Sequence, residues 1–249
     1  MTRRYWITLA GFGLAFSATW INPQWPVDQA LHNSLTVVAV VALVWLQYRV
    51  RLPYSSFVLI LVFLTAHTIA ARWIYSYVPY DDWTQALFGV RLSDVFGWHR
   101  NNFDRLVHFV YGACLAPVLW RYFVDRLRWR RRWAALAAVD IVLSTGALYE
   151  LLEWGIAATL APDMAEAYNG QQGDIFDPHK DMTIAVVGAL ISLAVLLPVN
   201  RARASRRAAS ADQRGGGEAT GLGGAADLAG GEHQLQRTGG VGGSEDGPL

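Results

Sequence analysis

The sequence predicts an all-α, polytopic membrane bundle of six transmembrane helices followed by a disordered C-terminal tail. Three observations predict it. Hydrophobic residues make up 53% of the chain and charged residues 16%, the balance of a protein that turns apolar side chains to lipid as well as to its core. Apolar runs close to bilayer-spanning length recur six times. Arginines and acids are segregated into alternate connections, as the positive-inside rule sorts loops.

The six runs cover residues 6–21, 31–47, 57–75, 103–124, 133–160 and 181–199. The first two are near the lower limit of length. Thr2-Arg3-Arg4-Tyr5-Trp6 loosely resembles a twin-arginine signal, but no small-residue cleavage site follows, so the first run is expected to stay as a span. Trp6, Trp20, Tyr48, Trp73, Tyr75, Trp120 and Trp133 mark the run ends, as an aromatic belt does. Arg3 and Arg4 precede the first run, Arg49 and Arg51 follow the second, and Arg126, Arg128 and Arg130 to Arg132 follow the fourth. Arg201, Arg203, Arg206 and Arg207 follow the sixth, whereas connections 22–30, 76–102 and 161–180 are acidic or poor in basic residues. Both termini are therefore expected in the cytoplasm.

Domain organisation follows from this. Residues 1–200 form the six-helix transmembrane domain, and 201–249 a tail that is basic and then Gly-rich. Such a tail buries too little apolar surface to offset its ordering entropy. Cys114 is the single cysteine, which excludes an internal disulfide and a cysteine-based metal cage.

The polar residues within the runs carry the functional argument, because ionisable groups at membrane depth are costly. At 1.5 Å per residue, His108 lies roughly 7 Å inside the fourth run, Glu153 roughly 10 Å and Glu150 roughly 15 Å below the outer end of the fifth, and Arg72 roughly 7 Å and His67 roughly 15 Å below that of the third. Asp104, His108 and Tyr111 share one helix face, as do Glu150 and Glu153. Asp140, with Ser144 one turn above, lies instead toward the cytoplasmic third of the fifth run and is expected to be a buried, satisfied acid.

Between the fifth and sixth runs stands G-Q-Q-G-D-I-F-D-P-H-K-D-M at 170–182. Gly170 and Gly173 permit turns that a β-carbon opposes, and Asp177-Pro178 reads as a helix start. Asp181 opens the sixth span. Behind it Ala185, Gly188 and Ser192 form a small-residue stripe that lets another helix pack closely. Four helices thus bring acids and bases to the outer half of the membrane.

Together with H-T-I-A-A-R-W-I-Y-S-Y-V-P-Y at 67–80, H-R-N-N-F-D-R-L-V-H-F-V-Y-G at 99–112 and Y-E-L-L-E-W at 149–154, this motif resembles the YjdF-type bacterial inner-membrane proteins, a family of unknown function. The resemblance covers residues 5–199 and implies an inner-membrane location. Ala71-Arg72-Trp73 departs from the pattern, which implies a more Gly- and Tyr-rich run there. A fainter similarity is to the VanZ-like membrane proteins. It rests on an Asp-basic-x-x-His helix start, a mid-helix Glu and an Asp opening the last helix, here Asp104, Arg105, His108, Glu150 or Glu153, and Asp181. It implies an envelope-facing role and no finer assignment.

Three function classes follow. A binding site, with or without turnover, uses Asp104, His108, Glu150 and Glu153 as catalytic candidates and Arg105, Asp174, Asp177, Asp181 and His67 as ligand-binding ones. A divalent metal would draw its ligands from the histidines and acids among these residues and from His179. No H-E-x-x-H spacing or EF-hand pattern is present, so the ligands would have to converge from separate helices. An ion-coupled carrier needs the polar path to continue inward through Asp140, Ser144 and Thr145. A scaffold needs only pairing of the buried charges, with Arg105 on Glu153 or Asp104 and Arg72 on Glu150 as the natural pairs. The expected partners are membrane lipids and a small polar or lipid-linked ligand, and no nucleic acid.

Overall fold

Eight helices and no strand make up the described residues, 1–159 and 171–196, of the computed structural model. In order they are α1 (Arg3–Thr19), α2 (Pro26–Arg49), α3 (Tyr54–Arg72), α4 (Tyr80–Phe88), α5 (Leu92–Phe96), α6 (Phe103–Asp125), α7 (Arg131–Thr159) and α8 (Asp177–Leu196). Helices α2, α3, α6, α7 and α8 are long and apolar enough to cross a membrane, and α1, at 17 residues, is shorter than all five. Gly170 and the tail from 201 onward lie outside the described residues.

Helix ends differ from the apolar runs for local reasons. Helix α2 begins at Pro26 rather than at residue 31, because proline at the first position has its φ preset and needs no hydrogen bond for its missing N–H. Helix α3 stops at Arg72 rather than 75. The Ile74 N–H bonds to Ala71 O at 3.2 Å and the Tyr75 N–H to Ala70 O at 3.0 Å, the paired bonds of a Schellman ending. Ile74 takes the left-handed slot at φ +40°, with Tyr75 following at +60°. This is costly for a β-branched residue, and it turns Tyr75 back beneath α3. Gly173 has φ +84°, the turn expected of it. Two short helices, α4 and α5, fill the 76–102 connection, joined where the Ser93 N–H donates to Asp81 Oδ1 at 2.9 Å.

Helix α3 packs against α1, α2 and α6, and α6 in turn against α7. Tyr5, Phe12, Leu43, Phe57, Leu61 and Leu64 form the α1–α2–α3 core. In lipid such contacts hold by close packing rather than by escape from water. The tightest is between α6 and α8. A β-carbon on Gly112 would stand 1.8 Å from Ala185 O, and one on Gly188 would stand 2.3 Å from Phe109 O. The small-residue stripe of α8 thus lets the two backbones touch, with Ala185 and Gly188 at the contact.

Most of the described arginines gather at one end, where Arg121 donates to Ser55 Oγ at 2.5 Å, Arg126 donates to Val50 O and Arg4 lies 4.7 Å over the Tyr54 ring. The opposite end carries the acidic and histidine-rich motifs.

Candidate functional site

At that opposite end the loop before α6 and the loop before α8 are zipped together. The Asn101 N–H donates to Gln172 Oε1 at 2.8 Å, and Gln172 Nε2 donates back to Asn101 O at 3.1 Å. This pairing aims Arg100 at the start of α8. Its guanidinium grips Asp177 with both nitrogens, meets Asp104 Oδ2 at 2.5 Å and donates to Gln171 O at 3.1 Å. Arg105 adds contacts to Asp174 at 2.8 Å and Asp177 at 3.2 Å, and Lys180 reaches Asp174 at 2.6 Å. Burial works against the charge on Arg100, but the hydrogen bond to Asp177 and the charges of Asp104 and Asp177 outweigh it and raise its pKa above the ordinary value. The hydrogen bond from Lys180 holds Asp174 down at about 2. This arrangement is a clasp of two arginines and a lysine on three aspartates.

Deeper in the bundle the character changes. Asp181 is 3% exposed, and its Oδ1 has no hydrogen-bond partner among the described residues. One donor atom each from His108, Glu150 and Asp181 lies within 4.8 Å of the others, and the same holds for Asp104, Asp177 and Asp181. His108 Nε2 and Glu150 Oε1 are 3.5 Å apart, longer than an ordinary N–H···O bond.

A third cluster lies between α2, α3 and α7. His67 Nε2–H donates to His32 O at 3.1 Å, so its Nδ1 accepts the Tyr75 hydroxyl. Both ring nitrogens of His67 are thereby used. His32 Nδ1 faces Glu153 Oε1 at 3.8 Å, and Thr68 donates to Asn33 Oδ1 at 2.9 Å.

Beneath His67 and His108 opens a cavity of about 170 Å³. His67, His108, Tyr75 and Tyr149 contribute polar groups to its lining, and Leu35, Ala39, Phe63, Leu64 and Val107 contribute apolar ones. The flanking helices α2 and α7 meet at the same end as the clasp, where Ala157 packs on Leu31 and His32 faces Glu153. Residues of both helices line the cavity below that point.

The family model described as "Predicted membrane protein (DUF2238)" matches residues 4–202. The chain belongs to this family. It is a membrane protein, and it is similar to the inner membrane protein YjdF of Escherichia coli (strain K12), at 30% identity over 165 residues, covering 65% of this chain and 75% of that protein. No solved structure matches. The family match takes in all four motifs on which the resemblance rests and ends before the Gly-rich stretch.

Several expected pairings are corrected. Arg72 does not reach Glu150: it donates to Thr19 O at 2.5 Å and Ile21 O at 2.9 Å, closing off the last carbonyl of α1 and one in the turn after it. Arg105 pairs with Asp174 and Asp177 rather than with Glu153 or Asp104, whose partners include His32 and Arg100 respectively. Asp140 is exposed, not buried, and Ser144 shares that exposure. His179 is exposed and stacks edge-on with Phe176.

Two members were missed. Arg100 precedes its helix and so escaped an argument based on depth along helices, yet its i,i+4 spacing to Asp104 was visible. His32 belongs to a buried stripe of Gln29, His32, Asn33 and Thr36 on α2; that polar run at helical spacing was the available signal.

Proposed function

We propose that this protein binds an amphiphile from the membrane, its polar head in the carboxylate and histidine cluster and its chain in the cavity beneath. The observation that carries the reading is the continuity of the two. His108, which faces Glu150, and Tyr149, which hydrogen-bonds Glu153, belong at once to the polar cluster and to the lining of a mainly apolar cavity flanked by α2 and α7. Ligand sites combine apolar walls with a few convergent polar groups in this way.

In this reading the protein has six spans, α1 included, with both termini in the cytoplasm and the site at the outer face. The arginine-rich end supports that orientation. His108, backed by Glu150, is the pair suited to move a proton in the metal-free protein if the head group reacts. Asp104, Arg105, Asp174 and Asp177 hold the site's shape, while Glu150, Glu153, Asp181 and His67 surround the head. The carrier reading loses support because Asp140 and Ser144 face outward and every buried His, Asp or Glu among the described residues lies at the site end.

The test is native mass spectrometry of the full chain, purified in mild detergent and challenged with phosphatidylethanolamine, phosphatidylglycerol and a polyprenyl phosphate. Retention of one lipid class, lost when Ala39→Trp fills the cavity, is the expected result. Equal retention by both proteins would overturn the reading.

A further inference from the structure

Six carboxylates and three cations meet at this end of the bundle: Asp104, Asp174, Asp177, Asp181, Glu150 and Glu153 against Arg100, Arg105 and Lys180. The surplus is not spread evenly. The clasp aspartates each touch a guanidinium or an ammonium, whereas Asp181 and Glu150 have no ion pair with Arg or Lys among the described residues. A buried carboxylate oxygen without a partner costs more than one that is bonded, so the bare Oδ1 of Asp181 calls for a donor or a cation.

We propose that His108, Glu150 and Asp181 form a binding site for a divalent transition-metal ion of the zinc type. The donor set decides the class. One imidazole with two carboxylates suits zinc and its neighbours, whereas magnesium and calcium favour oxygen alone. The distance agrees as well. Bonds of about 2.1 Å in a tetrahedron put neighbouring donors roughly 3.4 Å apart, and His108 Nε2 and Glu150 Oε1 are 3.5 Å apart. Asp181 then has to close a gap of at most 4.8 Å, within reach of a side-chain rotation. The other acid triad, Asp104, Asp177 and Asp181, is a poorer choice because Arg100 already engages its first two members. His67 is excluded as a ligand because both of its ring nitrogens are bonded.

Three protein ligands leave the fourth position of the ion open. His108 lines the cavity, so that position faces the head group of an amphiphile lying there. An anionic oxygen, such as that of a phosphate, becomes an acceptable ligand in a site that would otherwise repel it. This last step rests on the amphiphile reading; the metal site itself does not.

The full chain, stripped with chelator in detergent, is titrated with Zn²⁺ against a chromophoric chelator and separately with Co²⁺, read by its visible absorption. One tight site per chain is expected. Asp181→Asn, Glu150→Gln and His108→Ala should each weaken it by on the order of 100-fold or more, the upper end of what supporting residues alone contribute, and His108→Ala should change the Co²⁺ spectrum. His179→Ala, on the exposed histidine, should bind as the parent does. Melting curves identify any variant that has unfolded, and Glu150→Gln and Asp181→Asn, both near-isosteric, stand in for each other. Equal affinity across parent and variants, or loss of binding with His179→Ala, would overturn the proposal. Phosphatidylglycerol retention measured with and without Zn²⁺ separates the two ideas. Retention without any metal site sinks the metal alone, and a metal site without lipid retention sinks the amphiphile reading alone.

Discussion

The clasp and the looser rim beside it, made by His108, Glu150, Glu153 and Asp181, are both built around buried acids, yet they solve opposite problems. In the clasp, Asp177 gives both oxygens to Arg100, and Arg105 and Lys180 share Asp174. On the rim, Asp181 keeps a buried oxygen unbonded and Glu150 faces a histidine across 3.5 Å. A group that exists to hold the fold gathers partners. A group that exists to receive something retains unmet bonding capacity. The difference teaches where stability and binding should separate on mutation.

The largest effect should come from the centre of the clasp. Arg100→Met leaves Asp104 and Asp177 buried beside one another without their shared cation, and removing one side of a buried pair costs about 3–5 kcal/mol. A sharp drop in melting temperature in detergent is expected, partly rescued by Arg100→Lys, which restores the charge but not the two-pronged grip. A variant that melts like the parent would break the comparison, because the clasp would then hold nothing.

Next is the α6–α8 contact that sets the rim's geometry. Gly112→Ala puts a β-carbon 1.8 Å from the backbone oxygen of Ala185, which cannot move aside without shifting α8. Overpacking of this kind costs about 1–3 kcal/mol. It should also carry Asp181 away from His108 and weaken Zn²⁺ binding in step with the loss of stability. Unchanged melting would mean that the two helices do not touch as described.

The rim itself should behave in the reverse sense. Asp181→Asn and Glu153→Gln each exchange a buried carboxyl for a neutral amide of the same shape, so stability should change by less than about 1 kcal/mol or rise, while ligand or metal binding falls. Thermal melts beside the binding assay test this directly. A loss of stability as large as that of Arg100→Met would make the rim a second clasp and favour a scaffold.

How much of this was legible in the sequence follows from what each inference needed. Hydropathy and arginine placement need only the chain itself, and the five long helices and the family came through. The Asp104, His108, Tyr111 stripe and the small-residue face of α8 also followed from helical period alone. What failed was lateral pairing. Arg72 and Glu150 belong to the same half of the bundle on different helices, and depth does not say which helices are neighbours. Arg72 instead turns to the end of α1. Arg100 reaches the site through a loop pairing between Asn101 and Gln172, 71 residues apart, which no periodicity encodes. Asp140 was misjudged because α7 buries positions 134, 138, 142 and 146, leaving 140 on its outer face.

The smallest effect belongs to the clasp's exposed edge, where the sign can be worked out in full. Asp174 titrates at about 2 in the fold, against 3.8 ordinarily, chiefly because Lys180 donates to it. A carboxylate with a depressed pKa contributes stability that is present above its unfolded value and is lost as pH falls through its folded one. The contribution should therefore be intact at pH 5 and disappear between about pH 4 and pH 2. Lys180→Met removes the donor and should move the Asp174 titration, followed by carboxyl NMR, back toward the ordinary value. Stability at neutral pH should hardly change, since an exposed pair is worth little. If the Asp174 titration stays near 2 without Lys180, Arg105 holds the aspartate by itself and the lysine has no part in the clasp.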